Sequence, residues 1–299
     1  MAGAALLAAT SACAAGPEPV AGAAARPLRA PALNHVYVVV DAETFAALRD
    51  SAVLSSVLGR TDGGLPDYPP PTADADRIFF RGRRTYLEIF APGNRFDEPV
   101  GKVGLGLGLD LRADFDALDA AWGRHCGEGA RRTPVAWRRT APPTPWYDAI
   151  QCDDTASGPD LAVWAMVYRP EFQRWQASAP DDAPHRTARA DILSPRASAG
   201  QGRFDITGLA LNLSPSLRDR LVLQFVAAGF AHRVETDQHV LSGDGLVLRL
   251  NAGSDATGLV AINLAVAPTA PVRFSLGSLE FAANGTGAAT LSVPAKDRP

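Results

Sequence analysis

Residues 33–40 read LNHVYVVV, residues 85–92 read TYLEIFAP, and residues 102–110 read KVGLGLGLD. Each stretch is rich in β-branched, aromatic or leucine side chains and is bounded by Pro, Gly or Asp, the signature of a strand. Side chains alternate across a strand. Val36, Val38 and Val40 therefore share one face, opposite His35, Tyr37 and Val39. Leu87 and Ile89 oppose Tyr86, Glu88 and Phe90, while Val103, Leu105, Leu107 and Leu109 oppose Gly104, Gly106 and Gly108. The aliphatic faces suit burial beneath helices. The other faces gather a histidine, tyrosines, a carboxylate and glycines on the side of the sheet that helices leave open.

Working outward, Asp41 follows the first strand as a helix cap, with Glu43 favouring the helix dipole. Phe45, Leu48, Leu54, Val57 and Leu58 form the apolar stripe of one helix ending near Gly59. A proline-rich loop leads to strands at 77–81 and 85–90, then to 102–110. The order is strand, helix, three strands. It recurs downstream: a strand at 204–213, a helix capped by Ser214 with Pro215 at its first position, and strands at 233–239, 246–250 and 259–266. The expected fold is α+β. It comprises a first βαβββ module at 33–110, a middle region at 111–203, a second module at 204–266 and a C-terminal hairpin and tail at 267–299. The two modules face each other. The middle region carries a helix near 114–123 and strands at 146–152 and 161–168, and the terminal hairpin turns at Asn284-Gly285.

The chain has 299 residues, 46% hydrophobic and 20% charged, with a formal charge of −3. Such a length buries a large core, and the balance lacks the basic footprint of a nucleic-acid binder. No apolar run reaches the roughly 18 residues of a membrane span. Residues 1–16 form an uncharged, Ala-rich leader, and 17–32 a Pro- and Ala-rich linker. The leader points to export to a periplasmic or cell-envelope location, although a basic start is missing. Ser11-Ala12-Cys13 matches the end of a lipid-attachment motif except at Thr10, so a lipid anchor at Cys13 stands beside an incidental cysteine as a second reading. Export makes Cys126 and Cys152 a disulfide candidate, with two buried thiols as the alternative.

The glycine face has two readings, because glycine inside a strand marks close approach either of a ligand or of another part of the chain. One is a smooth floor beside Glu88; the other is a seat for packing. It is not a phosphate loop, since no strand-to-helix turn or Lys-Ser/Thr accompanies it.

NHVYVVVD at 34–41 and TYLEIFAP at 85–92 resemble the first- and third-strand motifs of the glyoxalase-like (vicinal oxygen chelate) superfamily, within which the chain is most similar to an uncharacterised glyoxalase-like family. That resemblance implies paired βαβββ modules around a small-molecule pocket lined by His35, Tyr37, Tyr86, Glu88, Phe90, Gly104, Gly106 and Gly108. It also places His35 and Glu88 at metal-ligand positions, where imidazole and carboxylate suit Zn, Fe or Mn. The second module departs from the pattern. Gly208 stands near the place of His35, and Leu248 or Arg249 near that of Glu88, so the four-ligand site is incomplete. Glu235, Asp237 and His239 are expected on one strand face, with His232 opposite, more often a solvated surface than a metal site. A buried Glu88 paired with Arg81 or Arg249, or bonded to His35, is the structural reading of the same residues. Three functions follow: an exported protein binding a small oxygenated molecule without turnover, a metal-dependent lyase, isomerase or dioxygenase, and, as a third reading, a structural partner-binding protein of the cell envelope.

Overall fold

The computed structural model describes residues 28–156, 158, 160–178, 188–193, 200–253, 258–268 and 270–293. The leader, Cys13 and most of the linker lie outside the described residues. Strand β1 (Ala32–Val39) runs into Asp41, whose carboxylate accepts the Thr44 N–H at 2.8 Å and starts helix α1 (Ala42–Asp50). The single helix expected here is broken. Ser51 is extended and accepts the Leu54 N–H, which restarts the chain as α2 (Ala52–Leu58). Strands β2 (Thr61–Asp62), β3 (Arg77–Arg81), β4 (Tyr86–Phe90) and β5 (Val103–Gly108) follow.

The described strands of the region 111–203, set apart above as a middle region, instead continue the first sheet. The region forms α3 (Arg112–Cys126), β6 (Ala130–Trp137), β7 (Thr144–Cys152), α4 (Asp153–Ala156), β8 (Leu161–Tyr168), α5 (Pro170–Ala177) and α6 (Arg189–Leu193). The sheet order is β2-β3-β4-β1-β5-β8-β7-β6. β1 pairs β4 in parallel, β5 pairs β8 in parallel, and β1 and β5 join antiparallel. The repeat therefore restarts at β5: its glycine strand opens a second βαβββ unit rather than closing the first.

The second sheet repeats this order with β9 (Phe204–Leu213), α7 (Pro215–Ala227), β10 (Ala231–Glu235), β11 (Gln238–Gly243), β12 (Leu246–Ala252), β13 (Gly258–Val266), β14 (Val272–Leu276), β15 (Leu279–Ala283) and β16 (Ala288–Ser292). The strand expected at 233–239 is folded back at Thr236 and Asp237 into β10 and β11. The terminal hairpin is three strands, because Gly277 and Ser278 make a further turn. Among the described residues no helix separates β13 from β14, and a parallel return needs a crossover of a dozen or more residues. β13 accordingly pairs β16 antiparallel, unlike the parallel closing pairs of the other three units.

The two sheets do not face each other across a shared pocket. Their aliphatic, helix-covered faces merge into one core: Val36, Ile89, Leu105 and Val163 of the first sheet belong with Phe115, Trp122, Leu221, Phe225, Leu209 and Leu248. The Trp122 indole N–H donates to the Gln224 carbonyl of α7 at 3.3 Å, and Thr155 donates to the Gln224 side chain at 2.6 Å. Buried Asp205 of β9 accepts the Arg84 N–H at 2.7 Å and the Thr85 N–H at 3.2 Å, and pairs with Arg83. These contacts tie the sheets back to back and leave the open face of the first sheet turned away from the second. Cys126 at the end of α3 and Cys152 at the end of β7 are disulfide-bonded, with Cα atoms 5.8 Å apart. Among the described residues no helix is long and apolar enough to cross a membrane.

Candidate functional site

The open face of the first sheet holds a cavity of about 470 Å³. His35 and Tyr37 reach it from β1, Tyr86, Glu88 and Phe90 from β4, and Trp164, Met166 and Tyr168 from β8. Val135, Trp137, Trp146 and Tyr147 of β6 and β7 form one wall, and Arg95, Phe96 and Glu98 of the β4–β5 loop the opposite one. His35, Tyr37, Tyr86, Glu88 and Phe90 thus come together as alternation requires. The β7 and β8 residues belong to strands expected in a separate region, and β6 was not expected as a strand. Their signal was present: in LAVWAMVY the core residues Leu161, Val163, Ala165 and Val167 alternate with Ala162, Trp164, Met166 and Tyr168. Only the pairing of β8 with β5 brings that face to the site.

His35 is buried and stacked on Tyr86, ring centroids 4.4 Å apart, with Trp164 edge-on at 5.1 Å. A bulge in the β1–β5 ladder between Leu33 and His35 turns Asn34 to the same side. The Asn34 side-chain carbonyl accepts from His35 Nδ1 at 2.8 Å, and Asn34 also meets the Tyr168 hydroxyl at 3.3 Å. With its proton on Nδ1, His35 keeps the Nε2 lone pair for the cavity. Burial, with the Arg81 charge adding to it, lowers its pKa to about 3, so the ring is neutral at physiological pH. Asn34 is a site residue that strict alternation missed.

Glu88 is buried, and burial raises its pKa, partly offset by Arg77, which donates to Oε1 at 3.2 Å. Its partner is neither Arg81, which pairs with buried Asp62 at 3.1 Å, nor Arg249, which pairs with Glu235 in the other sheet at 2.9 Å. Nor does it bond His35: the register sets Tyr37 opposite Glu88 and Tyr86 opposite His35. At the rim, Arg95 gives both Asp76 oxygens a donor at 2.7 Å, and Glu98 takes Lys102 and the Tyr37 hydroxyl. Burial pushes the Tyr147 and Tyr168 hydroxyls up to about 12, and the Tyr86 hydroxyl well above its ordinary value, so all three remain protonated.

The glycines of β5 do not form an open floor. The register places Tyr37 opposite Gly104 and His35 opposite Gly106. A Cβ on Gly104 would lie 1.9 Å from Tyr37 Cε1, and one on Gly106 would lie 2.6 Å from His35 Cε1. At Gly108 the Arg189 side chain fills the space, 2.5 Å from such a Cβ, and holds Asp110 at 2.9 Å. Each glycine is a seat for a neighbouring side chain; Tyr37 and His35 then form part of the cavity surface, whereas Arg189 lies outside it.

His35 and Glu88 do not complete a metal site. A catalytic divalent ion normally needs about three protein ligands. Among the described residues no three His, Cys, Asp or Glu side chains gather. Glu88 is moreover engaged by a guanidinium. His232 and His239, expected on opposite faces, meet across the β10–β11 hairpin at 3.0 Å, while Glu235 turns to Arg233 and Arg249.

A family model described as a family of unknown function (DUF5829) matches residues 33–289, across both sheets. The chain belongs to that family. No curated protein matches it. Among solved structures it is similar to a hypothetical protein from Staphylococcus aureus at 10% identity, over 81% of this chain and 94% of that one, with a TM-score of 0.51. A halotolerant catechol dioxygenase aligns at 11% identity over 80% of this chain and 70% of its own, TM-score 0.43. A catechol 2,3-dioxygenase aligns at 12% over 77% and 69%, TM-score 0.41. These likenesses concern the fold. The first sheet is built of two βαβββ units, and the second sheet repeats its strand order.

Proposed function

We propose that this chain is an exported binding protein that holds a small oxygenated molecule in the first-sheet cavity, without a completed metal site. The observation carrying this reading is the cavity itself: about 470 Å³, walled largely by aromatic rings, with a few fixed polar groups at His35, Glu88 and Tyr86. That combination is typical of small-molecule sites. The Cys126–Cys152 bond supports an oxidising compartment. A lipid anchor at Cys13 is a further part of the proposal, tested by mass spectrometry of the mature N-terminus.

One observation favours the metal-dependent enzyme as second reading. A ligating histidine usually donates its other N–H to an oxygen acceptor, as His35 does to Asn34. Elemental analysis after dialysis separates the two readings. Binding without metal predicts Zn, Fe and Mn well below one per chain. Stoichiometric metal that is lost on Glu88→Gln would overturn the binding reading and restore a lyase, isomerase or dioxygenase.

A further inference from the structure

We infer that the ligand of the first-sheet cavity is an organic cation, an amine or amidine whose N–H donors meet His35 and Glu88 and whose body lies on the surrounding rings. The inference rests on the binding role proposed above. It follows from which hydrogen-bonding atoms the cavity leaves open. His35 gives its Nδ1 proton to Asn34, so Nε2 is an acceptor. Glu88 uses Oε1 for Arg77, which leaves Oε2 as a second acceptor on the neighbouring strand. Both guanidinium groups of the wall already bond a carboxylate. Arg95 holds both oxygens of Asp76, and Arg77 lies between the Phe79 and Phe96 rings, at 5.2 and 5.7 Å, while bonding Glu88. Arg77 Nε has no partner but is enclosed beneath the surface, as are the indole N–H groups of Trp137 and Trp146.

Two acceptors on adjacent strands, diagonal in the register, call for a ligand that supplies hydrogens, and the neutral imidazole supplies none at Nε2. Aromatic faces add attraction for a cation that has left water. Beyond burial, the Glu88 charge is among the influences keeping the Tyr37, Tyr86 and Tyr147 hydroxyls protonated, so its field extends across the cavity. An anionic ligand would face that carboxylate, and the nearest guanidinium groups already hold Glu88 and Asp76.

The test uses three probes of one shape: 4-phenylbutylamine, 4-phenylbutanol and 4-phenylbutyrate, titrated calorimetrically into the full chain. The amine is expected to bind at least about tenfold more tightly than the alcohol, as a charge-assisted bond would give. Glu88→Gln should remove that advantage while leaving the alcohol's affinity in place. Arg77→Met, which frees the Glu88 carboxylate, should strengthen amine binding, and it serves as the reading if Glu88→Gln does not fold. Equal affinities, or preference for the butyrate, overturn the cation inference while leaving the cavity a binding site. Failure of all three probes to bind overturns the proposed binding role and the inference with it.

Discussion

Replacing Gly104 by alanine tests how the site is built. The new methyl would lie 1.9 Å from Cε1, 2.3 Å from Cδ1 and 2.5 Å from Cζ of Tyr37, far inside contact distance. The ring must retreat by more than an ångström. Phe90 and Trp164 pack against it, with centroids 5.2 and 6.1 Å away, and its hydroxyl reaches Glu98 at 3.4 Å. The remaining direction is upward into the cavity. Overpacking of this kind costs about 1–3 kcal/mol. A loss of about 2 kcal/mol lowers the folded-to-unfolded ratio roughly 30-fold. Gly123→Ala in α3 is the control, because nothing lies within 4 Å of its added Cβ. There the same substitution should stabilise by about 0.5–1 kcal/mol. Urea unfolding followed by far-UV circular dichroism measures both variants. The cost at Gly104 should also vanish in a Tyr37→Ala background, as a double-mutant cycle reads it. If Gly104→Ala is as harmless as Gly123→Ala, the glycine is not a seat for the tyrosine and the account of the cavity floor is refuted.

Two further outcomes are expected. His35 titrates near its ordinary 6.5 when unfolded and at about 3 when folded, so the unfolded chain binds the extra proton between those values and stability falls as pH drops from 6.5 toward 3. Its share of that slope is at most roughly 1.4 kcal/mol per pH unit, and His35→Gln should flatten the stability profile in this window; an unchanged profile would show that the imidazole is not held neutral by the fold. The Cys126–Cys152 bond closes a sequence separation of 26 residues, so Cys126→Ser/Cys152→Ser should lower stability by about 3.5 kcal/mol in the same urea assay, whereas a loss of only a few tenths would contradict the constraint.

Much of the site was legible in local sequence. The alternation through NHVYVVV and TYLEIF correctly sorts His35, Tyr37, Tyr86, Glu88 and Phe90 from the valines and leucines of the core. It failed at Asn34, because a bulge adds a residue and breaks the period of two. It also failed at Arg233–His239, where an apparently continuous strand contains the turn at Thr236 and Asp237 that brings His232 onto His239. The partner of Glu88 was not readable either. Arg77, Arg81 and Arg249 look alike in sequence, and which one reaches the carboxylate depends on register.

What the sequence determined by itself is the local grammar: where strands and helices form, which caps start them, and which face of each strand is aliphatic. These follow from backbone preference and periodicity within a few residues. Tertiary structure alone decided that β5 begins a unit instead of ending one, that β8 lies beside it, and that the sheets join by their helix-covered faces. Strand pairing is a choice among distant segments of similar composition, settled by which arrangement buries all the aliphatic faces at once. The glycines show the difference most directly. Gly104 and Gly106 announce close approach by something, but only the antiparallel register of β1 against β5 makes that something Tyr37 and His35, and so makes the cavity an aromatic box rather than a bare floor.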